Sequence, residues 1–587
     1  MQRSRSSSIT PERGFAHQEV RIGSGSVVRD RFVTKLCVIW DGMSKYSRWL
    51  TPLVLAVLCL PIWFSLSDHG FNGRSDARYA VVAQDMAQTQ DWLVPRYMGH
   101  VHLTKPPLVY WMESLSIEVL GQSYLAVRLP SAICGTLAIL LLYWFTAQVA
   151  SRRSALIACA LYAIMPMTIF PARMTVTDSV LNLCWLMVLV GGYLVRASAQ
   201  QRGIGRVLLW TGTMLGLLTK GPVMLIPIGV VLVWWWLSRA ERTSLRLKFA
   251  YAGGALLALA PLIAWGVTVL VVEPEAANIW WHETFDRAVG QGDHARPIWY
   301  FLPVLLVGCF PCSAMLILPG VNLSFRAAWE AFRSGSLGGF LGFAIIGPFV
   351  VYSMISGKLP SYLLPICAPL ALLSALMLER WFTEQRPASE TGKSLPEVRF
   401  GLLVGTLLFA TATIASIAWF YGSEKAWLGF AFLPAIVVAV LMVRTWSTLS
   451  IRLPMISLFL ASWLLAWGVL EEIEDLALRD SSYGAVALRT FGPQGWSGRV
   501  GVYQLESGVI YWDRHGDLEQ YSRVEEIEDS VRLHPDEPLL VLTRADRWAA
   551  LKNKAPALTA EGEIVQEWRQ FPGAPLRYLV VFDRETP

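Results

Sequence analysis

Runs of about 20 predominantly apolar residues, the length that crosses a bilayer, recur along this chain from residue 48 to residue 471. They predict 13 spans, near 48–66, 124–150, 153–170, 174–195, 205–219, 221–238, 248–272, 298–318, 336–356, 360–380, 400–421, 425–444 and 453–471. Between the first two, Arg74 to about Gln90 reads as an amphipathic stretch lying along the membrane surface. After residue 472 the pattern changes. Residues 499–503, 539–543 and 578–582 read as strands, and 545–552 reads as a helix. These predict a small α/β domain over 473–587, behind a membrane domain over 48–472.

The short loops sort by charge. The basic N-terminal tail, Arg152-Arg153, Arg196 to Arg206, Arg239 to Lys248, Arg326 to Arg333 and Arg444 to Arg452 alternate onto one side. Lys and Arg mark the cytoplasmic side, so an odd number of spans places residues 473–587 outside. The same assignment gathers the block after the first span, Asp178, Lys220, the loop from His282 to His294, and Lys358 on the outer face. A transporter more often holds its ionisable groups near the midplane. An outward-facing enzyme site fits better.

Composition agrees. The chain is 54% hydrophobic and 16% charged, against roughly a quarter charged in a soluble domain, so it is a polytopic membrane protein. Its net charge of +6 sits mostly in short loops, where orientation explains it without nucleic acid. All eight cysteines precede residue 368. Cys309-Phe310-Pro311-Cys312 has redox spacing but lies in an apolar segment, where small buried residues are the simpler reading. Residues 1–47 are polar and Arg/Ser-rich and read as a disordered cytoplasmic tail. No small-residue cleavage site follows a short apolar core there, and Met43 opens a more ordinary membrane-protein start.

The chemistry concentrates in Arg74-Ser75-Asp76-Ala77-Arg78-Tyr79 and His102-Leu103-Thr104-Lys105-Pro106-Pro107. An acid, guanidiniums and an ammonium at a bilayer edge are costly unless used. Glycosyl transfer from a lipid-linked phosphate needs such a set. A carboxylate takes the acceptor hydroxyl's proton, and cations hold the departing phosphate. Asp76 is the candidate base, although a helix-capping Asp suits the same place. Two prolines hold Lys105 on a rigid corner; a snorkelling lysine accounts for the ammonium but not for the prolines. Asp178 opens the fourth span from outside, as a second acid or as a cap. Lys220 lies in the turn Thr219-Lys220-Gly221-Pro222.

In these motifs the chain resembles the bacterial aminoarabinose transferases and their protein O-mannosyltransferase relatives. These are polyprenyl-phosphate-dependent membrane glycosyltransferases of the C-type (GT-C) fold. The resemblance covers about residues 48–380 in order and spacing. It implies phosphate binding by Lys105 and Lys220. It extends to Trp281-His282-Glu283-Thr284-Phe285-Asp286-Arg287 and to Ser356-Gly357-Lys358-Leu359-Pro360-Ser361-Tyr362. There are departures. The relatives carry Asp-Glu-x-Arg-Tyr with the first Asp catalytic, and Ser75 stands at that place, with Asp76 one position on. Their zinc ligands, a Glu before Lys-Pro and a His in the long loop, fall here on Thr104 and Thr284. Threonine hydroxyls are poor zinc ligands, so no metal and no other cofactor is expected.

The resulting expectation is an α-helical polytopic GT-C protein of the cytoplasmic membrane, monomeric, with its active site and C-terminal domain outside. It would be an inverting glycosyltransferase acting from a polyprenyl-phosphate donor on a lipid A, other glycolipid or protein acceptor. Asp76 would be base, assisted by Asp178 or Glu283. Arg78, Lys105, Lys220, Arg287, Lys358 and Tyr362 would cradle the phosphate. The rival is a non-catalytic binding or transport protein for a lipid-linked sugar. A carboxylate at Asp76 facing a roofed cavity beside the lysines favours the enzyme, and one buried as a helix cap favours the rival.

Overall fold

The computed structural model describes residues 51–64, 66–67, 71, 74–238, 245–282, 296–315, 329–330, 332–383, 496, 498–504, 511–512, 518–568 and 576–582. The expected tail over 1–47, the spans at 400–421, 425–444 and 453–471, and the proposed boundary at 473 lie outside these residues. So do Glu283 and Arg287. Among the described residues, six helices are long and apolar enough to cross a membrane, or seven if one bent pair is a single span. The expected count of 13 is therefore neither reached nor tested beyond residue 383.

The helices are α1 (Thr51–Trp63), α2 (Arg74–Thr89), α3 (Leu108–Leu120), α4 (Tyr124–Val149), α5 (Arg152–Ala163) and α6 (Pro166–Ala172). They continue with α7 (Thr177–Ala197), α8 (Arg202–Lys220), α9 (Leu225–Leu237) and α10 (Leu245–Val272). Two further apolar helices run over Leu337–Met354 and Leu364–Thr383. Local chemistry sets the ends. Ser123 and Ser151 cap α4 and α5 by accepting from the N–H groups of Ala126 and Ser154. Asp178 in the first turn of α7 and Arg196 in its last turn match the helix dipole. The span expected at 153–170 bends by 69° between α5 and α6, because Met165 precedes Pro166 and is extended. The span expected at 298–318 gives only the helix Phe301–Gly308 before a turn at Cys309 to Pro311.

Residues 202–237 form one apolar stretch of 36 residues, yet they make two legs. Gly205 and Leu209 of α8 press on Gly191 of α7, while Val231 and Trp235 of α9 meet Gly192 of the same helix end. Both legs reach one end of α7 only if the chain reverses between them. The reversal is at Lys220-Gly221, where Gly221 has φ 58°, a region that favours glycine. Any side chain at Gly191 or Gly192 would come within 2.5 Å of its neighbour, so this packing requires bare backbone. The two spans expected at 205–219 and 221–238 are thus present as an antiparallel pair.

On the Lys220 side, α2 packs along α3, and a two-strand hairpin, β1 (Arg96–Tyr97) and β2 (His100–Val101), joins them. Five more strands are β3 (Arg499–Tyr503), β4 (Glu519–Tyr521), β5 (Leu539–Arg544), β6 (Gly562–Trp568) and β7 (Arg577–Phe582). They form one sheet in the order β4-β3-β5-β7-β6, parallel across β4-β3-β5 and antiparallel beyond. Ile527, Trp548 and Leu551 from two helices cover one sheet face with Val541 and Val580. Trp512, between β3 and β4, leaves the sheet and packs on Phe71 and Tyr124 at ring distances of 5.4 and 6.1 Å.

Candidate active site

Two tyrosines join the motifs that the sequence separates. Tyr79 on α2 and Tyr110 on α3 stack with centroids 5.5 Å apart. Tyr79 hydrogen-bonds Thr177 at the start of α7. Tyr110 hydrogen-bonds Thr104, the residue before Lys105. The stack therefore bridges the Lys105 corner and the Asp178 end of α7. A methyl added at Gly221 would lie 3.8 Å from the Pro106 ring, so the Lys-Gly-Pro turn and the Lys-Pro-Pro corner adjoin.

Within this cluster Lys220 Nζ donates to Asp178 Oδ1 at 2.9 Å, and the two side chains are 12% and 16% exposed. The same ammonium lies 5.2 Å from the centre of the Tyr362 ring, a cation–π distance. Lys105 Nζ donates to the Thr104 carbonyl at 2.8 Å. Arg78 is half-buried, close enough to His102 and Tyr110 to perturb both. Burial, then the charges of Arg78 and Lys105, push His102 down to about 4, so its imidazole is neutral near pH 7. Its Nε2 lies 2.9 Å from Thr104 Oγ1. Burial pushes the Tyr79 hydroxyl up to about 12.

The structure thus brings Arg78, Lys105, Asp178, Lys220 and Tyr362 together. It does not do so for Asp76 or Lys358. Asp76 is 0% exposed. Its Oδ1 accepts from the Thr175 N–H and hydroxyl, both at 2.6 Å, and its Oδ2 lies 3.8 Å from an Arg128 guanidinium nitrogen. This is a tie holding α2 to α4 and to the loop before α7, which corrects the expectation of a base facing the lysines. Lys358, 3% exposed, donates to the carbonyls of Arg296 and Ile355. Its ammonium closes a backbone turn in place of cradling phosphate.

Beneath the tyrosines lies Glu113, which the sequence reading passed over. It is 0% exposed, as is Gln84, and both its carboxyl oxygens lack a hydrogen-bond partner among the described residues. Burial, and then the charge of Asp76, holds its carboxyl well above the usual range. Arg128 was missed too. An arginine inside an apolar span was the available signal, since such a charge needs a partner.

Of the two places where the resemblance puts zinc ligands, only Thr104 is among the described residues. Thr104 stands where a carboxylate would be needed, and its hydroxyl is engaged by His102 and Tyr110. Among the described residues no three His, Cys, Asp or Glu side chains converge with metal-holding geometry. Thr284 lies outside those residues.

Comparisons with known proteins follow the same lines. A profile of the dolichyl-phosphate-mannose-protein mannosyltransferase family matches residues 104–267. The undecaprenyl phosphate-alpha-4-amino-4-deoxy-L-arabinose arabinosyl transferase of Aeromonas salmonicida is 30% identical over 387 residues, 65% of this chain and 68% of that one. Its counterpart from Edwardsiella ictaluri is 31% identical over 364 residues, and the match spans 60% of this chain and 62% of the Edwardsiella protein's length. Among solved structures, ArnT of Cupriavidus metallidurans bound to undecaprenyl phosphate superposes with a TM-score of 0.69 at 22% identity, covering 91% of this chain and 98% of that chain. The fold is GT-C, and this multi-pass membrane protein belongs to the aminoarabinose transferase family.

Proposed function

We propose that the protein is a glycosyltransferase that moves a sugar from a polyprenyl-phosphate donor to a hydroxyl or phosphate acceptor at the outer face of the cytoplasmic membrane. The observation that carries this reading is the junction of the Lys105 corner with the Asp178–Lys220 pair through the two tyrosines. Phosphate departure needs cations already in place. Lys105, Lys220 and Arg78 supply them from three separate elements.

Asp178 takes the role of base. It is the acid of the cluster, and Lys220 holds it in place through the 2.9 Å contact. When an anionic donor arrives, the Lys220 ammonium has donors for both the phosphate and Asp178. The carboxylate then accepts the acceptor's proton as the sugar–phosphate bond breaks, and the lipid phosphate leaves carrying the electron pair. Attack opposite the leaving group inverts the sugar carbon. Glu283 and Arg287, outside the described residues, keep the supporting roles the resemblance implies. The relatives' names indicate undecaprenyl phosphate as the lipid and an amino sugar as cargo, and a lipid acceptor accords with them.

The test compares membrane glycoconjugates by mass spectrometry in a deletion strain complemented with wild type or Asp178→Asn. One glycan addition should vanish on deletion, return with wild type, and fall about a hundredfold or more with Asn, the scale of base catalysis. A glycoconjugate profile unchanged by deletion refutes the transferase reading in favour of a binding protein.

A further inference from the structure

We infer that Asp85 is a positioning residue through which the C-terminal sheet sets the place of Lys105; this rests on the donor-phosphate role proposed above. Asp85 lies on α2, seven residues beyond Arg78 and so on nearly the same helix face. It is 4% exposed, and burial pushes its carboxyl up. One oxygen accepts the Gly99 N–H at 3.1 Å, and the other accepts the Tyr511 hydroxyl at 2.8 Å. Three segments therefore meet on one carboxylate: the surface helix, the hairpin tip, and the segment between β3 and β4.

The hairpin is the element that needs the help. Its strands are two residues each, and Met98 and Gly99 turn with φ 53° and 79°, the left-handed pair of a two-residue hairpin. So short a ribbon is marginal by itself. Its second strand runs directly into His102, Thr104 and Lys105, so a shift at Gly99 is passed to the lysine within six residues. The His102 N–H donates to the Pro95 carbonyl at 2.8 Å, which makes that end follow the hairpin.

The C-terminal segment also holds the hairpin and the turn before α4 independently of Asp85. Gln520 Nε2 reaches the Met98 carbonyl at 3.4 Å, and Gln122 Nε2 donates to the Trp512 carbonyl at 3.0 Å. Trp512 packs edge-on against Phe71. The sheet thus anchors on α4 through Trp512 and reaches from there to the hairpin through Tyr511. Anchor and reach are what positioning needs, whereas a mere cover would require neither at a buried carboxylate.

The experiment uses full-length protein in nanodiscs with three variants, Tyr511→Phe, Asp85→Asn and Lys105→Ala. Amide exchange over residues 96–105 and equilibrium binding of undecaprenyl phosphate are read together with thermal midpoint. Tyr511→Phe keeps the ring and removes one hydrogen bond to a charged or polar partner. It should speed exchange in the hairpin and weaken lipid-phosphate binding by roughly two- to tenfold. Turnover at saturating donor should hold, and adding Asp85→Asn should give less than the sum of the two effects. Weakened binding in Lys105→Ala with unchanged hairpin exchange and binding in Tyr511→Phe overturns the positioning role. A lowered midpoint with exchange raised evenly through the chain also overturns it, since that marks general stability. Normal binding in Lys105→Ala instead removes the phosphate role on which the inference rests.

Discussion

Substituting Asp76 by Asn separates a structural tie from a catalytic base. The carboxylate is fully enclosed and takes two hydrogen bonds from Thr175 through one oxygen, and Arg128 faces the other. Asn keeps an acceptor for Thr175, so those contacts change little. What it removes is the charge opposite a guanidinium that is itself 2% exposed. Breaking a buried ion pair from one side costs about 3–5 kcal/mol, because the remaining charge stays buried. Arg128 also donates to the Leu66 carbonyl at 3.0 Å and lies over the Tyr124 ring at 5.4 Å, which softens the loss toward about 3 kcal/mol. Thr175→Val, by contrast, removes the hydroxyl alone and should cost about 1 kcal/mol. The assay is denaturant unfolding in detergent, paired with specific activity of the folded fraction. The expectation is a clear loss of stability with activity per folded molecule largely kept. A protein of wild-type stability that has lost about a hundredfold in turnover would refute the tie and restore Asp76 as base.

Lys105→Ala should weaken undecaprenyl phosphate binding roughly ten- to a hundredfold, as a charge-assisted contact predicts, and unchanged affinity in a titration would leave only a snorkelling lysine. Glu113 should make stability fall with rising pH. Its folded pKa lies above its unfolded one, so the stability from holding it neutral is complete below the ordinary carboxylate range and is lost as pH climbs through the raised value. Glu113→Gln removes this dependence, and its advantage over wild type should grow by up to about 1.4 kcal/mol per pH unit above that range; parallel unfolding curves would refute the reasoning. For orientation, a cysteine replacing exposed Asn553 should label in intact cells and one replacing exposed Gln200 should not. The reverse pattern would place the site on the cytoplasmic side.

The parts of the site legible in the sequence were those whose geometry is local. Lys105 before two prolines and Lys220 before Gly-Pro announce rigid corners within four residues, and both corners are present. The α8–α9 reversal was readable because glycine can adopt the turn between two apolar runs. The carboxylates were not readable in this way. Whether Asp76 faces a cavity depends on Thr175 and Arg128, which are 99 and 52 residues away and announce nothing in the local pattern. Asp178 carried the same capping signature as Asp76, and the approach of Lys220 from the end of α8, 42 residues away in sequence, tells them apart. Lys358 has the resemblance but donates to backbone carbonyls of a turn whose other half starts at Arg296. Tyr79 and Tyr110 were visible beside the motifs, yet their stacking is a property of the α2–α3 contact.

The glycine-tight packing of α8 and α9 on α7 has a consequence for the surrounding lipid. Helices packed this closely against bare glycine backbone cannot slide past one another without opening the contacts at Gly191 and Gly192. When acyl chains lengthen or shorten, hydrophobic mismatch is relieved by tilt, and these three helices tilt as one body. Asp178 starts one of them and Lys220 ends another, so their 2.9 Å contact is insulated from bilayer thickness. What thickness does change is the height of that pair relative to the headgroups, and hence how deep in the leaflet a lipid phosphate must sit to meet it.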